Sequence, residues 1–385
     1  MIIEGKRALA WVGKIEEVKP IDGYDRVEYA RILGWWCIVS KDYNLKSGDK
    51  VVYFEIDSKV PSDNPAFSFL EKRNYKIKTL KMCKVVSQGL IMPVAALGIA
   101  PDIPENTDLT EKLGVKYSVA EDNIRKQSDA DRVLGSWKKN IFLRKLLKYK
   151  VARQIILKIF GATKDHKIAF PSSYVCVTDE ERVQNMPYIL EDKQPLIASE
   201  KIDGTSTTFL LVKKGLKYKF YCCSRNRTLH SPTSKYYDEK TDGVYWKMAI
   251  KYDVENQLKL YLKNNKNESW VCIQGETFGL GLQGNPLKQD DIDFKAFNFI
   301  TSKKGRVGSL IGRDIVERFE TPISWVPIVD ANYILPDSIE ELLEYATNKS
   351  TINNDVLREG IVFRSQDGTL SFKAVSPEYL LKKGE

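Results

Sequence analysis

The segment EKIDGTS, residues 200–206, decides how this chain is interpreted. The mostly apolar run LIAS (196–199) leads into it and the run TTFLLV (207–212) follows it, so the segment joins two predicted β-strands. It carries Lys201 at the end of a buried strand, where a lone charge is costly and needs a partner, a metal ion or a ligand. We therefore interpret Lys201 as a candidate functional residue.

Three more charged residues stand at the ends of apolar runs or within them: Glu276, Glu359 and Lys373. Two lysines and two glutamates that converge on one groove would suit a nucleoside triphosphate accompanied by a divalent metal ion. The alternative is that each residue belongs to an ordinary surface ion pair. Charge placement alone leaves both interpretations open.

Motif order favours the functional interpretation. The pattern Lys-x-Asp-Gly at 201–204 resembles motif I of the covalent nucleotidyltransferases, which comprise DNA ligases, RNA ligases and mRNA capping enzymes. Five later segments are similar to further motifs of this family, in the family's order: SRNR (224–227), QGE (274–276), FNF (297–299), EGIV (359–362) and SFK (371–373). Six motifs in order are hard to obtain by chance, so the resemblance implies an α+β fold with a ligase-type domain. That domain would be built on antiparallel sheets and unrelated to ATP-grasp enzymes.

The resemblance also implies roles for individual residues. Lys201 would attack the α-phosphorus of ATP and carry AMP as a covalent lysyl-adenylate, and Lys373 would contact the AMP phosphate. Lysine is a nucleophile only when deprotonated, so we expect cationic neighbours or desolvation to lower the pKa of Lys201. Glu276 and Glu359 would hold Mg²⁺ or Mn²⁺, with the ribose as an alternative partner for Glu276. The implied cofactor-binding set is Glu200, Ile202, Asp203, Gly204, Arg225, Glu276, Phe297, Glu359 and Lys373.

Two of these assignments have neighbours that compete for the same role. Arg225 would bind the ribose or the incoming phosphate, but Arg227 is an alternative. Phe297 would stack on adenine, but Phe299 is an alternative, because alternation along a strand puts both rings on one face. The chain departs from the family at Asn298, where aspartate is usual. It also departs in motif V, where a single lysine replaces the common Lys-x-Lys and leaves a second phosphate contact in doubt.

The N-terminal part, from about residue 8 to residue 100, consists of short strand-like runs separated by turn signals. Examples are VEYARI (27–32), WWCIV (35–39) and VVYFEI (51–56). This pattern predicts a small β-barrel, and we assign residues 1–115 to an OB-type module that binds nucleic acid. Stacking of bases on exposed aromatic rings is typical of such modules, with Trp35, Trp36 and Tyr53 as candidates. Core packing is the expected role of at least one of the two tryptophans.

Residues 116–169 are predicted to link this module to a ligase domain at residues 170–385. Within that domain, helices are predicted at residues 244–263 and 338–346. Within the linker, residues 137–161 contain eight lysines and arginines and no acid, with apolar residues at helical spacing. This predicts a basic amphipathic helix. Its basic face could be solvated, contact an RNA backbone, or bind a membrane surface or a calmodulin-like partner, and all three interpretations stay open.

The position of the OB-type module favours one branch of the family, the RNA ligases. DNA ligases and capping enzymes normally carry an OB domain after motif V, whereas here little sequence follows Lys373. The segment TDEERVQN (178–185) also resembles the stretch before motif I in RNA ligases with an N-terminal OB module. The expected activity is that of an ATP-dependent RNA ligase, joining a 3′-hydroxyl to a 5′-phosphate at nicks or breaks in RNA. The alternatives are an inactive RNA-binding protein on a ligase fold and a GTP-dependent enzyme that modifies ends.

Composition is consistent with a nucleic-acid partner and disfavours other chemistries. The net charge is +9, which suits a polyanion. Only two histidines are present and the six cysteines form no C-x-x-C pair, which argues against Ser-His-Asp catalysis and structural zinc. No apolar run is long enough to cross a membrane, and no obligate protein partner is evident. We expect a cytoplasmic protein.

Overall fold

The computed structural model describes residues 1–4, 6–118 and 168–384. Almost all of the predicted linker lies outside the described residues, and so does the predicted basic helix at 137–161. The domain boundaries at residues 115 and 170 therefore stay predictions. No helix within the described ranges is long and apolar enough to cross a membrane.

The N-terminal domain is a small β-barrel, as predicted. Its strands are β1 (Ile2–Ile3), β2 (Lys6–Arg7), β3 (Ala10–Lys14), β4 (Glu17–Ile21), β5 (Tyr24–Ile32), β6 (Trp35–Ser40), β7 (Lys50–Phe54), β8 (Ser58–Lys59), β9 (Lys76–Ile77), β10 (Thr79–Met82), β11 (Val85–Gln88), β12 (Leu90–Pro93) and β13 (Lys116–Tyr117). Strands β4, β5 and β6 form one antiparallel sheet, and β12, β7 and β3 form another. Short 3₁₀ helices connect them at Lys41–Tyr43, Pro65–Arg73 and Val94–Leu97.

Alternation along the strands fills the barrel. Every second residue of β6 is buried, and Trp35 at its start is 0% exposed. Tyr53 is also 0% exposed, and its ring stacks on Trp35 with the ring centres 5.5 Å apart. Both rings are therefore core residues and not base-stacking candidates, and Trp35 has the core role expected of at least one tryptophan. Trp36 is half-buried and stacks on Tyr29 with the ring centres 4.7 Å apart.

The C-terminal domain contains two sheets. Their strands are β14 (Ile168–Ala169), β15 (Glu181–Arg182), β16 (Leu196–Lys201), β17 (Thr205–Lys214), β18 (Lys217–Ser224), β19 (Arg227–Thr228), β20 (Trp270–Gly279), β21 (Ile292–Thr301), β22 (Gly305–Arg306), β23 (Ile328–Tyr333), β24 (Gly360–Ser365) and β25 (Ser371–Val375). The seven-stranded sheet has the order β14-β19-β18-β17-β20-β21-β22, and the five-stranded sheet has the order β15-β25-β24-β16-β23. Neighbouring strands are antiparallel except β15 and β25, which are parallel.

Within residues 168–384, five helices pack on these sheets: α1 (Glu239–Lys251), α2 (Val254–Asn264), α3 (Ser309–Glu317), α4 (Ile339–Ala346) and α5 (Pro377–Lys383). Shorter 3₁₀ turns lie at Val183–Asn185 and Pro187–Glu191. Helix α4 confirms the prediction for 338–346, with Ser338 as its N-cap. The predicted helix at 244–263 is instead two helices, because Asp253 adopts a left-handed conformation with φ 46°. That conformation ends one helix and starts the next.

The crossover between the two sheets positions the candidate site. Strand β16 ends at Lys201 in the five-stranded sheet, and β17 begins at Thr205 in the seven-stranded sheet. The chain therefore passes from one sheet to the other within residues 202–204, directly after the lysine. Side chains from both sheets converge on this crossover.

Contacts between the domains are polar and partly buried. Trp35 donates its indole N–H to the side-chain oxygen of Asn185 at 2.5 Å, and the amide of Asn185 donates to Glu55 at 3.2 Å. Trp36 donates to Glu340 of α4 at 2.9 Å. A small apolar cluster of Ile56, Val375 and Leu380 lies between the domains. The barrel therefore packs against the ligase-type domain on the side where β25 and α5 lie.

Candidate active site

A pocket of about 710 Å³ lies at the crossover between the two sheets. All ten residues predicted for the site line it: Glu200, Lys201, Ile202, Asp203, Gly204, Arg225, Glu276, Phe297, Glu359 and Lys373. The N-terminal domain completes the wall with Arg7, Leu9, Asp57 and Tyr117. The pocket therefore belongs to both domains, which the sequence did not predict.

Lys201 lies beside a carboxylate from the neighbouring strand. Its Nζ donates a hydrogen bond to Glu359 Oε2 at 2.8 Å, and Glu359 directly precedes β24, which pairs with β16. Burial alone would lower the pKa of Lys201, but Glu359, Glu276 and Asp203 outweigh it and raise this pKa above its ordinary value. The carboxylates of the protein alone therefore raise this pKa, and the predicted lowering would require the charge of a bound metal ion.

Glu276 is the second carboxylate near Lys201, and it comes from β20 of the other sheet. Burial, together with the nearby charges of Glu359 and Asp203, raises the pKa of Glu276 to about 8, although Lys201 opposes the shift. Burial also raises the pKa of Glu359. When both carboxyl groups are ionised, their negative charge exceeds the charge of the single lysine, and a bound cation would stabilise that ionised form.

Asp179 joins three cations on the opposite side of the pocket. Its carboxylate oxygens lie 3.3 Å from Lys373 Nζ, 3.2 Å from Arg225 and 3.7 Å from Arg7 of the barrel. Burial alone would raise the pKa of Asp179, but these cations outweigh it and lower the pKa. The sequence marked the segment 178–185 as informative but assigned no site role to Asp179, and it gave no signal for Arg7.

Lys373 is the most perturbed cation of this group. Its side chain is 11% exposed, and burial lowers its pKa to about 7, with Arg182 and Arg7 acting in the same direction and Asp179 against it. A cation held in this way is poised to gain an anionic partner, since a phosphate would relieve the repulsion among the neighbouring positive charges.

Glu200 lines the pocket, but hydrogen bonds commit its side chain elsewhere. One carboxylate oxygen accepts from the Ser350 hydroxyl at 2.6 Å, and the other accepts from the backbone N–H and hydroxyl of Thr351 at 2.8 and 2.5 Å. The residue is 2% exposed. Ile202, the next apolar residue, is 4% exposed and packs in the core of the ligase-type domain.

Asp203 and Gly204 shape the crossover itself. Asp203 accepts a hydrogen bond from the Tyr379 hydroxyl at 2.7 Å and pairs with Lys383, so that α5 fixes this turn. A Cβ atom on Gly204 would collide with the carbonyl oxygen of Thr277 on β20. Only glycine therefore allows the turn to approach the strand that carries Glu276.

A β-bulge separates the two candidate phenylalanines. Strands β20 and β21 pair Gln274 with Asn298 but Gly275 with Ala296, so residue 297 is left unpaired. A bulge shifts the alternation of side chains by one residue. Phe299 consequently packs in the core at 0% exposure, whereas Phe297 lines the pocket and lies 5.6 Å from the Arg364 guanidinium. The prediction that both rings share one face is wrong.

The two candidate arginines also have different surroundings. Arg225 is 46% exposed, lines the pocket and pairs with Asp179. Arg227 pairs with Asp242 at 2.8 Å, and Asp242 is 1% exposed in the first turn of α1. Arg227 therefore fixes a helix, while Arg225 is available to the pocket.

Among the described residues, no group of three or more histidine, cysteine, aspartate and glutamate side chains is arranged to hold a metal ion. Glu276 and Glu359 nevertheless fit a hard divalent cation, because both are carboxylates with raised pKa values near the same lysine. Such an ion would need its remaining ligands from water or from phosphate oxygens, as is usual for Mg²⁺.

The fold and the pocket define a ligase-type nucleotidyltransferase domain that follows an OB-fold barrel. Two family models match these parts separately: an OB-fold domain at residues 9–94 and the RNA ligase family at residues 194–381. Residues 194–381 of this chain are therefore similar to the RNA ligase family. No curated protein sequence matches the chain.

Solved structures of the Naegleria gruberi RNA ligase are similar over nearly the full length. A mutant of that enzyme with ATP and Mn shares 26% identity at a TM-score of 0.77, covering 98% of this chain and 100% of that one. The same enzyme with PPi shares 27% identity at a TM-score of 0.76, covering 98% and 99%. Another mutant, with AMP and Mn, shares 26% identity at a TM-score of 0.75 with the same coverage.

Proposed function

We propose that this protein is an ATP-dependent RNA ligase that joins an RNA 3′-hydroxyl to a 5′-phosphate through a lysyl-AMP intermediate on Lys201. The observation that carries the proposal is the convergence of Lys201, Glu276, Glu359 and Lys373 on one pocket. A protein that only binds RNA would not need the amine of Lys201 near the partly buried carboxylates of Glu276 and Glu359. The likeness to a ligase whose structures contain ATP or AMP with Mn supports the choice of nucleotide.

In the first step, the unprotonated Nζ of Lys201 attacks the α-phosphorus of ATP. A P–N bond forms, the bond to the bridging oxygen breaks, and pyrophosphate leaves with that electron pair. The amine must first lose its proton to solvent, and its hydrogen bond to Glu359 at 2.8 Å fixes the position of Nζ.

A divalent cation, Mg²⁺ or Mn²⁺, would be held by Glu276 and Glu359, where it would neutralise their charge and favour the unprotonated form of Lys201. Lys373 is assigned to the AMP phosphate, and Arg225 to the ribose or the RNA 5′-phosphate. Phe297 would stack on adenine. Glu200 and Ile202 act through the backbone and the fold, since their side chains are occupied elsewhere. Asp203 and Gly204 hold the crossover that presents the lysine.

The second and third steps use the same pocket. AMP passes from Lys201 to the 5′-phosphate of the RNA, and the 3′-hydroxyl then attacks that phosphate and releases AMP. The preferred substrate is a nick or break in RNA held by a bridging strand, because the basic chain and its barrel provide surface for a duplex.

The proposal is tested by incubating the protein with α-³²P-ATP and MgCl₂ or MnCl₂ and analysing it on a denaturing gel. We expect a labelled protein band that Lys201→Ala lacks, and sealing of a nicked duplex with an RNA 3′-hydroxyl strand. Label from GTP and not from ATP would instead indicate an end-modifying enzyme. Folded protein, freed of bound AMP, that takes no label from either nucleotide would overturn the proposal in favour of an RNA-binding protein.

A further inference from the structure

The hairpin formed by β10 and β11 is a basic element of the barrel that the site does not use. From Lys72 to Pro101 the chain has no acidic residue, although 51 of its 385 residues are acidic. Six cations fall within the first part of this stretch: Lys72, Arg73, Lys76, Lys78, Lys81 and Lys84. Lys72, Arg73, Lys81 and Lys84 are exposed, and none of these four forms an ion pair with a described residue.

The tip of this hairpin is held in a costly conformation. Met82 pairs with Val85, so Cys83 and Lys84 form the two-residue turn, and both have positive φ, 53° and 64°. Turns of this type normally use Asn-Gly, because other residues are strained there. Lys84 at this position lowers the folding stability, and its exposed side chain is not packed in the core. Strain of this kind is concentrated at functional sites.

Contacts at the base of the hairpin fix its orientation on the barrel. Ser87 accepts a hydrogen bond from the backbone N–H of Ile38 at 3.0 Å, and the Tyr29 hydroxyl donates to the carbonyl of Val86 at 2.5 Å. Met82 at the tip is 40% exposed. The hairpin therefore presents lysines and an apolar side chain on a rigid base.

Helix α5 connects the hairpin to the pocket. Strand β10 packs against α5, and Lys78 donates a hydrogen bond to the backbone carbonyl of Gly384 at the end of that helix. Lys383, in the last turn of α5, lines the pocket. Lys78 therefore meets α5 at the end where Lys383 lines the pocket. Lys81 lies three residues further along the chain, which corresponds to about 10 Å in an extended strand.

We propose that the β10–β11 hairpin grips the phosphate backbone of the RNA next to the end being sealed, through Lys81 and Lys84, with Met82 against a ribose or base. This inference rests on the proposed function, because a ligase must hold its nucleic acid across the surface beside the pocket. Lysines without acidic neighbours suit a continuous polyanion. Backbone contacts of this kind position the strand and read no sequence.

The test variant is Lys81→Gln combined with Lys84→Gly. Glycine relieves the strain of the turn, so this variant should fold at least as stably as the wild type, and any loss of binding cannot come from misfolding. The matched control is Lys213→Gln with Lys214→Gln, an exposed pair at the far end of β17. Those lysines are eight or nine residues from the pocket end of their strand, which corresponds to about 25–30 Å.

Three measurements apply to each protein: adenylation with α-³²P-ATP in the absence of RNA, fluorescence anisotropy with a nicked duplex carrying an RNA 3′-hydroxyl strand at several KCl concentrations, and single-turnover sealing. We expect the hairpin variant to adenylate within about twofold of the wild type. It should bind the nicked duplex at least about tenfold more weakly, and the slope of log affinity against log salt should become shallower by about 2. The control variant should match the wild type.

Affinity and salt slope equal to those of the wild type in the hairpin variant would overturn the inference. An equal loss in the control variant would do the same, because it would mean that any exposed lysine pair contributes. Failure of the wild-type protein to form an adenylate would instead count against the proposed function. The affinity comparison would still decide whether the hairpin binds nucleic acid.

Discussion

Asp57 of the barrel and Arg182 of the ligase domain form an ion pair across the domain interface, with Oδ2 and Nη2 3.3 Å apart and side chains only 10% and 8% exposed. Among the residues that the structure describes, none forms a hydrogen bond with the buried Nε and Nη1 atoms of Arg182. Asp57 therefore provides the hydrogen bond that this guanidinium makes, and it also lines the pocket. The stability of the domain interface therefore depends on this ion pair, because the buried charge of Arg182 without a partner would cost free energy.

Asp57→Asn should weaken the docking of the two domains. Asparagine tolerates the left-handed backbone that Asp57 adopts, with φ 65°, so the substitution removes the charge and little else. A buried arginine without its counter-charge costs about 3 kcal/mol. We expect the first calorimetric transition to fall by about 5 to 10 °C. Combining Asp57→Asn with Arg182→Gln should restore much of the loss, and an unchanged transition in the single variant would contradict this account.

Asp179→Asn should change the pH dependence of adenylation. Burial lowers the pKa of Lys373 to about 7, and the negative charge of Asp179 is the main influence that keeps it from falling further. Lysine is charged below its pKa, so neutralising Asp179 should make Lys373 lose its charge at a lower pH. We expect the alkaline limb of the single-turnover rate to move about one unit towards acid.

Lys373→Arg provides the matched comparison for this shift. A guanidinium remains charged throughout the measured range, so the alkaline limb that depends on residue 373 should disappear in that variant. Rates measured from pH 6 to pH 9 would decide the matter. If Asp179→Asn does not shift the pH profile of the adenylation rate, the charge of Lys373 does not limit adenylation.

Glu200→Gln should destabilise the fold more than it weakens nucleotide binding. The carboxylate accepts hydrogen bonds from both Ser350 and Thr351 while 2% exposed, and an amide would present a donor to one of these donors. We expect a loss of about 2 to 3 kcal/mol in the free energy of unfolding. Thermal denaturation and the KM for ATP separate the two roles. A raised KM at unchanged stability would favour direct cofactor binding, as the sequence predicted.

Arg225→Ala should reduce sealing activity, whereas Arg227→Ala should reduce the stability of the fold. Arg227 neutralises Asp242, which is 1% exposed, so its removal should cost about 2 to 3 kcal/mol of stability. Arg225 is 46% exposed, so its removal should leave the melting temperature nearly unchanged while sealing slows by at least about tenfold. Melting curves measured beside single-turnover sealing distinguish the two, and the reverse pattern would exchange their roles.

The sequence predicted the parts of the site that lie at strand ends. Lys201 ends β16 as expected. Glu359 directly precedes β24, which pairs with β16, and Lys373 lies in β25, the next strand of the same sheet. Motif order was informative because each of the six motifs contributes a residue that lines the pocket. The barrel was equally readable, because alternation and turn signals are local properties of the chain.

What the sequence did not predict depends on contacts between distant segments or on a single irregular residue. The distance between Arg7 and Asp179 depends on how two domains dock, which no spacing encodes. The bulge at Phe297 adds one unpaired residue, which strict alternation cannot reveal. Trp35 could not be distinguished from a base-stacking ring, because aromatic residues are common both in cores and on nucleic-acid surfaces.

Because both domains line the pocket, neither domain of this chain can be exchanged by itself without changing the pocket. Arg7, Asp57 and Tyr117 come from one fold and Lys201 from another, so the chamber exists only when both are assembled. In a chimera that joins the barrel of a distant relative to this C-terminal domain, the pocket wall would not match. The match would require the residues of this chain at positions 7, 57 and 117 in the new barrel. When hybrid proteins are engineered, the barrel and the C-terminal domain should therefore be taken from the same protein.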